Sequence, residues 1–421
     1  MATYDAGSVI VVDDKIELTK FSGGAPLNIM NLIRSIDIFE SLNNCTLSAD
    51  FHIAEGIELI NNFPIAGEEY IELTIQTPTR KALKYKFFIE SISESKSQDA
   101  SNLKMYTLRG VTKDLLMNAF SVYSRRYRDM NYDAAVADVI TNDLKSEKSL
   151  VTTESTEGKF DYVVNNVRPF QTIDLLCERA VSAENKSSMF FFYEDNQGYH
   201  FTTFEKLITD RTPAAPGLVF SYDTATRDTE FHQLINVRNI LSYETMKQGS
   251  SVQKVRDGAI RTQIREFDIM TGEYYKMEEY NNTSDYGSFK STDGANDMNT
   301  SAYNAFVAKK PGVTRMVFKD GLRPAMKHNE NIHWKRGFAD RLSQQSVRIR
   351  VYGDTDIRVG DVIQLDIPEI TGAQNPKIQD YYSGNYVIFE MKHRMDKRPT
   401  GGFEHFMVFD LRKPHIKKAL G

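Results

Sequence analysis

Alternating apolar and polar residues mark a first strand-rich block between residues 27 and 111. Tyr70–Thr77 places Ile71, Leu73 and Ile75 on one face and polar residues on the other, the period of two expected for a half-buried strand. Further strand-like segments of this block lie at Leu27–Phe39, Cys45–Ile53, Leu83–Glu94 and Leu103–Val111. About five strands of one sheet predict a small β-barrel or sandwich.

A helical period replaces this alternation between residues 112 and 210. Tyr132–Leu144 carries its larger aliphatic residues on one helical stripe, and a second stripe follows Pro169, where a first helical turn tolerates proline. Met189–Glu194 and Tyr199–Phe204 then flank Asp195-Asn-Gln-Gly198, which is a strong hairpin signal. Two helices and a hairpin predict a small α+β domain.

A second strand-rich block echoes the first. Ile65–Ile75 aligns without a gap with Ile357–Ile367, and their apolar positions coincide. Two further matches follow in the same order, Phe87–Glu90 with Val387–Glu390 and Tyr106–Arg109 with Phe409–Arg412. Any two alternating strands align somewhere, which is the alternative explanation. The consecutive order favours two copies of one barrel.

These patterns predict a β-rich α+β fold with two similar small antiparallel β-barrels, an α+β domain and an irregular insertion. The expected divisions are an N-terminal arm (1–25), a first barrel (26–121), the α+β domain (122–212), a discontinuous second barrel (213–262 and 338–413), the insertion (263–337) and a basic C-terminal tail (414–421). A helix is expected over Trp334–Gln345.

Composition is ordinary for a globular protein, with 41% hydrophobic residues and a net charge of −5 in 421 residues. That charge excludes the strongly basic footprint of a dedicated nucleic-acid binder. The small net charge hides an uneven distribution of charge within the insertion. Asp268–Asp297 carries seven acids and two lysines, whereas Ala308–Arg341 carries nine basic residues and three acids. These stretches are either two solvated surfaces or a polar contact surface for a partner.

The two cysteines, Cys45 and Cys177, do not form a disulfide framework, which suits folding in a reducing cytosol. The N-terminus lacks the features of a signal peptide. The apolar cluster Met189–Tyr193 is far shorter than the roughly 20 residues that cross a bilayer, so no membrane-spanning segment is expected.

A search for catalytic motifs gives no enzyme class. His328 and His333 are five residues apart, which does not match the i, i+4 spacing of a helical zinc site. No phosphate-binding loop and no Gly-x-Ser-x-Gly elbow is found in the sequence. Cys177 lies on an apolar helical stripe and is interpreted as a buried thiol rather than a nucleophile. No catalytic residue, metal or cofactor is therefore expected.

Two regions are candidates for contacts with other chains. The loop Pro368–Gly384 exceeds the roughly 12–15 residues beyond which loops are usually functional or disordered. The basic and aromatic segment Tyr123–Arg128 could stack on a nucleic acid, although a domain junction or subunit contact is favoured in an acidic chain. The candidate residues for a subunit or tube interface are Asp366, Glu369, Gln374, Tyr381, Tyr382, Arg125 and Arg126.

The order of features resembles the central baseplate hub proteins of contractile-tailed bacteriophages, which are related to the hub half of type VI secretion spike proteins. The resemblance rests on Phe160–Ala180, Met189–Phe201, Gly353–Ile363, and Asn385–His393 followed by Phe403–Asp410. It spans most of residues 27–413, and the arm and the insertion fit it least well.

The resemblance implies a homotrimer whose six barrels form a pseudo-six-fold ring, matching a trimeric spike to a hexameric tail tube and templating that tube. The implied partners are the central spike protein as a separate chain, the tube or tube-initiator protein, the tape measure protein, surrounding wedge proteins, and DNA in transit. The implied place is the baseplate of a virion, assembled in the bacterial cytoplasm. Alternatives are a tip hub of a non-contractile phage or phage-derived injection system, a tail-associated cell-wall hydrolase, and a sugar-binding tail module.

Overall fold

A computed structural model of the chain describes most of both strand-rich blocks and of the α+β region. The described residues are 8–11, 16–57, 59–77, 81–98, 103–185, 187–211, 218–222, 238–248, 256, 261–281, 313–319, 335, 339, 342, 345–369, 378–379, 381–399 and 401–413.

The first block forms one antiparallel sheet around its own core. Its elements are β1 (Ser8–Val11), β2 (Glu17–Lys20), β3 (Leu27–Asn28), β4 (Ile33–Ser41), β5 (Ser48–Glu55), α1 (Leu59–Asn62), β6 (Glu69–Gln76), β7 (Leu83–Gln98) and β8 (Leu103–Val111). Five of these strands are hydrogen-bonded in the order β4-β5-β8-β7-β6. Each contributes a fully buried residue to one cluster, namely Ile36, Phe51, Leu108, Phe87 and Ile71. We call this unit the first barrel.

The α+β region folds around a second cluster. Its elements are α2 (Lys113–Phe120), β9 (Tyr123–Asn131), α3 (Tyr132–Asp138) continued by a π-helical turn (Val139–Leu144), β10 (Leu150–Thr153), β11 (Lys159–Val167), α4 (Pro169–Arg179), β12 (Phe190–Asp195), β13 (Gly198–Thr203) and α5 (Phe204–Arg211). The two predicted helical stripes pack against the aromatic faces of β12 and β13. The helices and the hairpin predicted from the sequence are confirmed.

The rest of the described chain forms a second barrel and a separate small sheet. The strands are β14 (Leu218–Ser221), β15 (Ile240–Gln248), β16 (Arg261–Asp268), β17 (Tyr274–Asn281), β18 (Val313–Lys319), β19 (Gln345–Tyr352), β20 (Val362–Asp366), β21 (Gly384–Lys397) and β22 (Phe403–Lys413). Five of them are paired in the order β15-β19-β22-β21-β20 around a core of their own, and we call this unit the second barrel. Strands β17, β16 and β18 pair separately within the predicted insertion.

The two barrels have the same strand order, with β4, β5, β6, β7 and β8 equivalent to β15, β19, β20, β21 and β22. The predicted repeat is therefore present in the fold. Its alignment needs a correction on two strands, because the cross-strand register decides equivalence. Ile71 pairs with Phe87 and Ile363 with Tyr386, so Phe87 corresponds to Tyr386 and not to Val387.

The final strands of the repeat are shifted as well. A bulge follows Ile89 in the β7–β8 pair and Ile388 in the β21–β22 pair, which places Leu108 opposite Ile92 and Phe409 opposite Met391. Leu108 thus corresponds to Phe409, two residues away from the match suggested by sequence. The shift of two preserves the buried face, which explains why the sequence pattern could not reveal it.

One strand is shorter in the structure than the sequence predicts, and the backbone conformation at Gly360 explains why. The sequence predicts a strand over Ile357–Ile367, whereas β20 covers only Val362–Asp366. Gly360 has φ +86° and its N–H donates to the Ile388 carbonyl at 2.8 Å, so a turn precedes the strand. The expected helix Trp334–Gln345 lies mostly outside the described residues, and Gln345 begins β19.

The predicted N-terminal arm takes part in the sheet. Strand β2 pairs with β6, and Ile16 and Leu18 are fully buried in the core of the first barrel. Strand β1 pairs with β6 on one side and with β22 on the other, so it connects the two barrels.

Candidate assembly interface

The two barrels are joined by direct pairing of β4 with β21. The antiparallel register runs from Ser41 opposite Glu390 to Ser35 opposite Asp396. Strand β4 is the first strand in the sheet order of the first barrel. Strand β21 is the fourth strand in the sheet order of the second barrel, the place that β7 has in the first. The contact is therefore head-to-tail, because two different edges of the repeated unit meet.

Asp37 is the charged centre of this junction. It lies between the core residues Ile36 and Ile38, and alternation places its side chain on the opposite face of the sheet. Its carboxylate lies 2.7 Å from Lys392 Nζ and 3.8 Å from Arg394 Nη1, both on β21. Burial alone would raise the pKa of Asp37, but hydrogen bonds from His52 and Lys392 outweigh it and hold that pKa below its usual value.

Behind this charged face lies a buried polar cluster. His393 Nδ1 lies 3.0 Å from His405 Nε2, and neither ring is exposed. Burial lowers the pKa of His393 to about 4, so this imidazole is neutral at pH 7. Glu40 is buried nearby and accepts a hydrogen bond from the Tyr85 hydroxyl at 3.1 Å. Burial, helped by the charge of Asp195, raises the pKa of Glu40 to about 8.

A charged cross-strand pair is repeated in both barrels with its charges exchanged. Asp50 on β5 lies opposite Arg109 on β8, whereas at the equivalent positions Arg348 on β19 lies opposite Asp410 on β22. Arg348 donates two hydrogen bonds to Asp410, at 2.6 and 2.9 Å. All four residues line one surface depression beside the β4–β21 junction, so that surface mixes both signs of charge.

The β12–β13 hairpin fastens the α+β region to both barrels. Glu194 accepts hydrogen bonds from the Leu47 N–H at 3.1 Å and the Thr112 hydroxyl at 3.0 Å in the first barrel, and it is ion-paired with Lys148. On the other side Phe191 packs edge-on against Phe389 of β21, with ring centroids 5.7 Å apart. The hairpin therefore contacts both barrels.

The interface residues expected from the long loop lie in the second barrel. Asp366 ends β20 and accepts a hydrogen bond from Gln364 at 3.0 Å, and Glu369 is exposed. The Tyr381 carbonyl accepts a hydrogen bond from Gln345, and that of Tyr382 accepts one from Tyr386, each at 2.8 Å. Gln374 lies outside the described residues. This end of the loop is thus anchored to β19 and β21.

The arginine candidates lie elsewhere, on β9 of the α+β region. Arg125 pairs with Asp138 at 2.6 Å and Asp143 at 3.0 Å within its own domain. Arg126 is exposed. The structure therefore does not bring the arginines into one cluster with the tyrosines of the loop.

Sequence reasoning missed the residues that join the barrels, namely Asp37, Lys392 and Arg394. The repeat held a usable signal, because β4 and β15 each carry an acid on the face opposite the core, Asp37 and Glu244. Finding it required the correct register, which the sequence alignment did not supply.

Other functions would be indicated by a reactive thiol, a metal site or a membrane-spanning helix. Cys177 is buried, as predicted, and burial raises the pKa of its thiol to about 12. Within the described ranges, no group of three or more His, Cys, Asp or Glu residues is placed to hold a metal ion. The helices in those ranges include none with the length and apolar character needed to span a membrane.

Comparison with known proteins gives one sequence relative and a shared fold. The chain is 19% identical over 397 residues to a probable baseplate hub protein of Vibrio phage KVP40, covering 88% of each protein. No protein-family model matches the chain. It also resembles the crystal structure of a tail protein from Neisseria meningitidis MC58, with a TM-score of 0.56 and 9% identity over 95% of this chain and 96% of that one.

A second solved structure gives the same result. The 43 kDa tail protein of prophage MuSo2 from Shewanella oneidensis has a TM-score of 0.57 at 11% identity, covering 95% of this chain and 99% of that chain. At such identities the structures show a common fold. Together with the sequence relative, they confirm the resemblance to baseplate hub proteins that the sequence indicated.

Proposed function

We propose that this protein is the structural hub of a phage tail baseplate and that it works as a homotrimer with six barrels in a pseudo-six-fold ring. The observation that carries the proposal is the head-to-tail pairing of two barrels with identical strand order within one chain. The sequence relationship to a probable baseplate hub protein supports the same role. The place of the protein is then the baseplate of a virion.

A head-to-tail contact has a definite consequence for assembly. Because the two edges that meet are different, each added unit leaves a new edge of the same kind exposed, and the series ends only if the rotation closes a ring. Two barrels per chain and three chains give six similar units. Such a ring presents three-fold symmetry to a trimeric spike and approximate six-fold symmetry to a hexameric tube.

The charged face of the barrels suits the wall of a channel. On this face Arg348 is matched by Asp410 at 2.6 Å and Arg109 by Glu90 at 3.4 Å, each acid on a neighbouring strand. Each phosphate contact with a free cation strengthens DNA binding, so a wall of paired charges would let DNA and the tape measure protein pass. The tube or tube-initiator protein would bind one rim of the ring, the spike the other, and wedge proteins its outside. In this role the protein is structural rather than catalytic.

Multi-angle light scattering on the purified chain, alone and mixed with the spike protein from the same phage, tests the proposal. We expect three times the mass of one chain in at least the mixed sample, and six-fold features in top views by electron microscopy. A chain that remains monomeric in both samples would overturn it.

A further inference from the structure

We propose that β15 of one chain pairs with the distal half of β7 in a second copy, in the register that β4 uses on β21 within the chain. This inference rests on the proposed ring and specifies the contact that would close it. Equivalent positions of the two barrels place one pair of residues opposite each other across this contact.

Strand β15 is the counterpart of β4. Phe51 lies opposite Leu108 and Ile349 lies opposite Phe409, so Asp50 and Arg348 occupy equivalent positions. Across the next strand pair, Asp37 lies opposite Asp50 and Glu244 lies opposite Arg348. Glu244 is therefore the equivalent of Asp37, and both residues carry a carboxylate.

The distal half of β7 is the counterpart of the part of β21 that β4 covers. Strand β7 has a second bulge, between Ser93 and Lys96, that β21 lacks. Beyond it Lys96 lies opposite Met105, as Arg394 lies opposite Phe406. Met105 and Phe406 are equivalent positions, so Lys96 occupies the position of Arg394. Placing β15 on β7 in the β4–β21 register would set Glu244 opposite Lys96, as Asp37 is opposite Arg394. In this register an acid again lies opposite a base.

The exposed surfaces agree with this placement. Met391 of β21, which β4 covers, is 2% exposed, whereas its equivalent on β7, Ile92, is 37% exposed. Within the described ranges β15 ends the sheet, and β7 beyond Phe88 pairs only with β8. Unpaired strand edges are templates for another chain. A second copy of the chain fits both edges, because the equivalent strands β4 and β21 already pair within one chain over seven register positions.

Cysteine cross-linking tests the register directly. The double variant Glu244→Cys/Lys96→Cys, oxidised mildly in the assembled state with the spike present, should give covalent dimers and trimers on non-reducing gels. The matched control Asp37→Cys/Arg394→Cys occupies the equivalent positions and should form its disulfide within one chain. Ser242→Cys/Lys96→Cys, shifted by two residues or about 7 Å along the strand, should not cross-link. The single variants report any reaction with the native cysteines.

The outcomes separate this inference from the proposed function. One outcome is that light scattering shows trimers and the Asp37→Cys/Arg394→Cys control forms its disulfide, but Glu244→Cys/Lys96→Cys gives no cross-link. That result would overturn the proposed register and leave the proposed ring intact. A monomer in every sample would overturn both. A charge exchange gives a second measurement, in which Glu244→Lys and Lys96→Glu each weaken the trimer several-fold and the double variant recovers most of its association. Equal weakening in the double variant would contradict the pairing.

Discussion

Lys392 Nζ lies 2.7 Å from Asp37 Oδ2, and this ion pair joins strand β21 of the second barrel to strand β4 of the first. Asp37 is buried, with its side chain only 4% exposed, while Lys392 retains 28% exposure. The pair therefore lies at the edge of the low-dielectric interior, where removing one partner leaves the other poorly compensated. The union of the barrels depends on it more than on the exposed pairs of the surface.

Replacing Asp37 by Asn should destabilise the chain by about 1–3 kcal/mol, because Lys392 loses a charged hydrogen-bond acceptor. Urea unfolding at pH 7 measures the change. Glu72→Gln is a suitable control, since the Glu72–Lys86 pair at 2.9 Å is largely exposed and should contribute less than about 1 kcal/mol. Equal effects of the two substitutions would contradict this prediction.

The lowered pKa of Asp37 predicts a loss of stability in acid. A carboxyl whose pKa is lower in the folded than in the unfolded state contributes stability above its unfolded pKa of about 3.9 and loses it as the pH falls through the folded pKa. The difference in unfolding free energy between wild type and Asp37→Asn should therefore shrink below about pH 4. A difference that stays constant from pH 7 to pH 3 would argue against the assigned charge state.

Glu40 should show the opposite dependence, because burial raises its pKa to about 8. The folded state then keeps a proton that the unfolded state releases above its pKa of about 4.3, so stability falls as the pH rises from about 4 towards 8. Glu40→Gln removes this titration and keeps an acceptor for the Tyr85 hydroxyl. We expect a gain of about 4–5 kcal/mol at pH 8 and of only about 1 kcal/mol at pH 5, measured by urea unfolding. The exposed Glu90→Gln should change neither value.

Gly353 is predicted to be intolerant of a side chain. A Cβ atom at this position would lie 1.8 Å from His405 Nδ1, and the Gly353 N–H donates to the His405 carbonyl at 2.9 Å. Gly353→Ala should cost at least about 2 kcal/mol in thermal unfolding through overpacking. Combining it with His405→Ala should cost less than the sum of the two single changes, because the clash is removed. Strict additivity would exclude a direct clash.

The long loop Pro368–Gly384 stays a predicted contact with a neighbouring subunit or the tube. Tyr381 and Tyr382 are anchored within the chain through their carbonyls, so a test should spare them. Deleting Gly372–Pro376 should leave the unfolding midpoint nearly unchanged and impair assembly with the spike and tube proteins. Full assembly of the shortened chain, seen by electron microscopy, would refute the predicted role.

Part of the candidate interface could be read from the sequence, and part could not. The repeat of Ile65–Ile75 in Ile357–Ile367 correctly indicated two related barrels, because those strands lie in equivalent places. The contact residues were sought in the loop and at Arg125 and Arg126, whereas the structure places the union of the barrels at Asp37 and Lys392. Both are ordinary polar positions of alternating strands, and nothing local distinguishes them.

The sequence by itself determined many of the strands and helices and the face that each of them buries. The period of two at Ile71, Leu73 and Ile75 and the helical stripe before Leu144 depend only on neighbouring residues, so they survive any change of partner. Only the tertiary structure decided that β4 pairs with β21, some 350 residues further along the chain, and in which register. Alternation is unchanged by a slip of two residues, so choosing among such registers depends on long-range contacts such as that between Asp37 and Lys392.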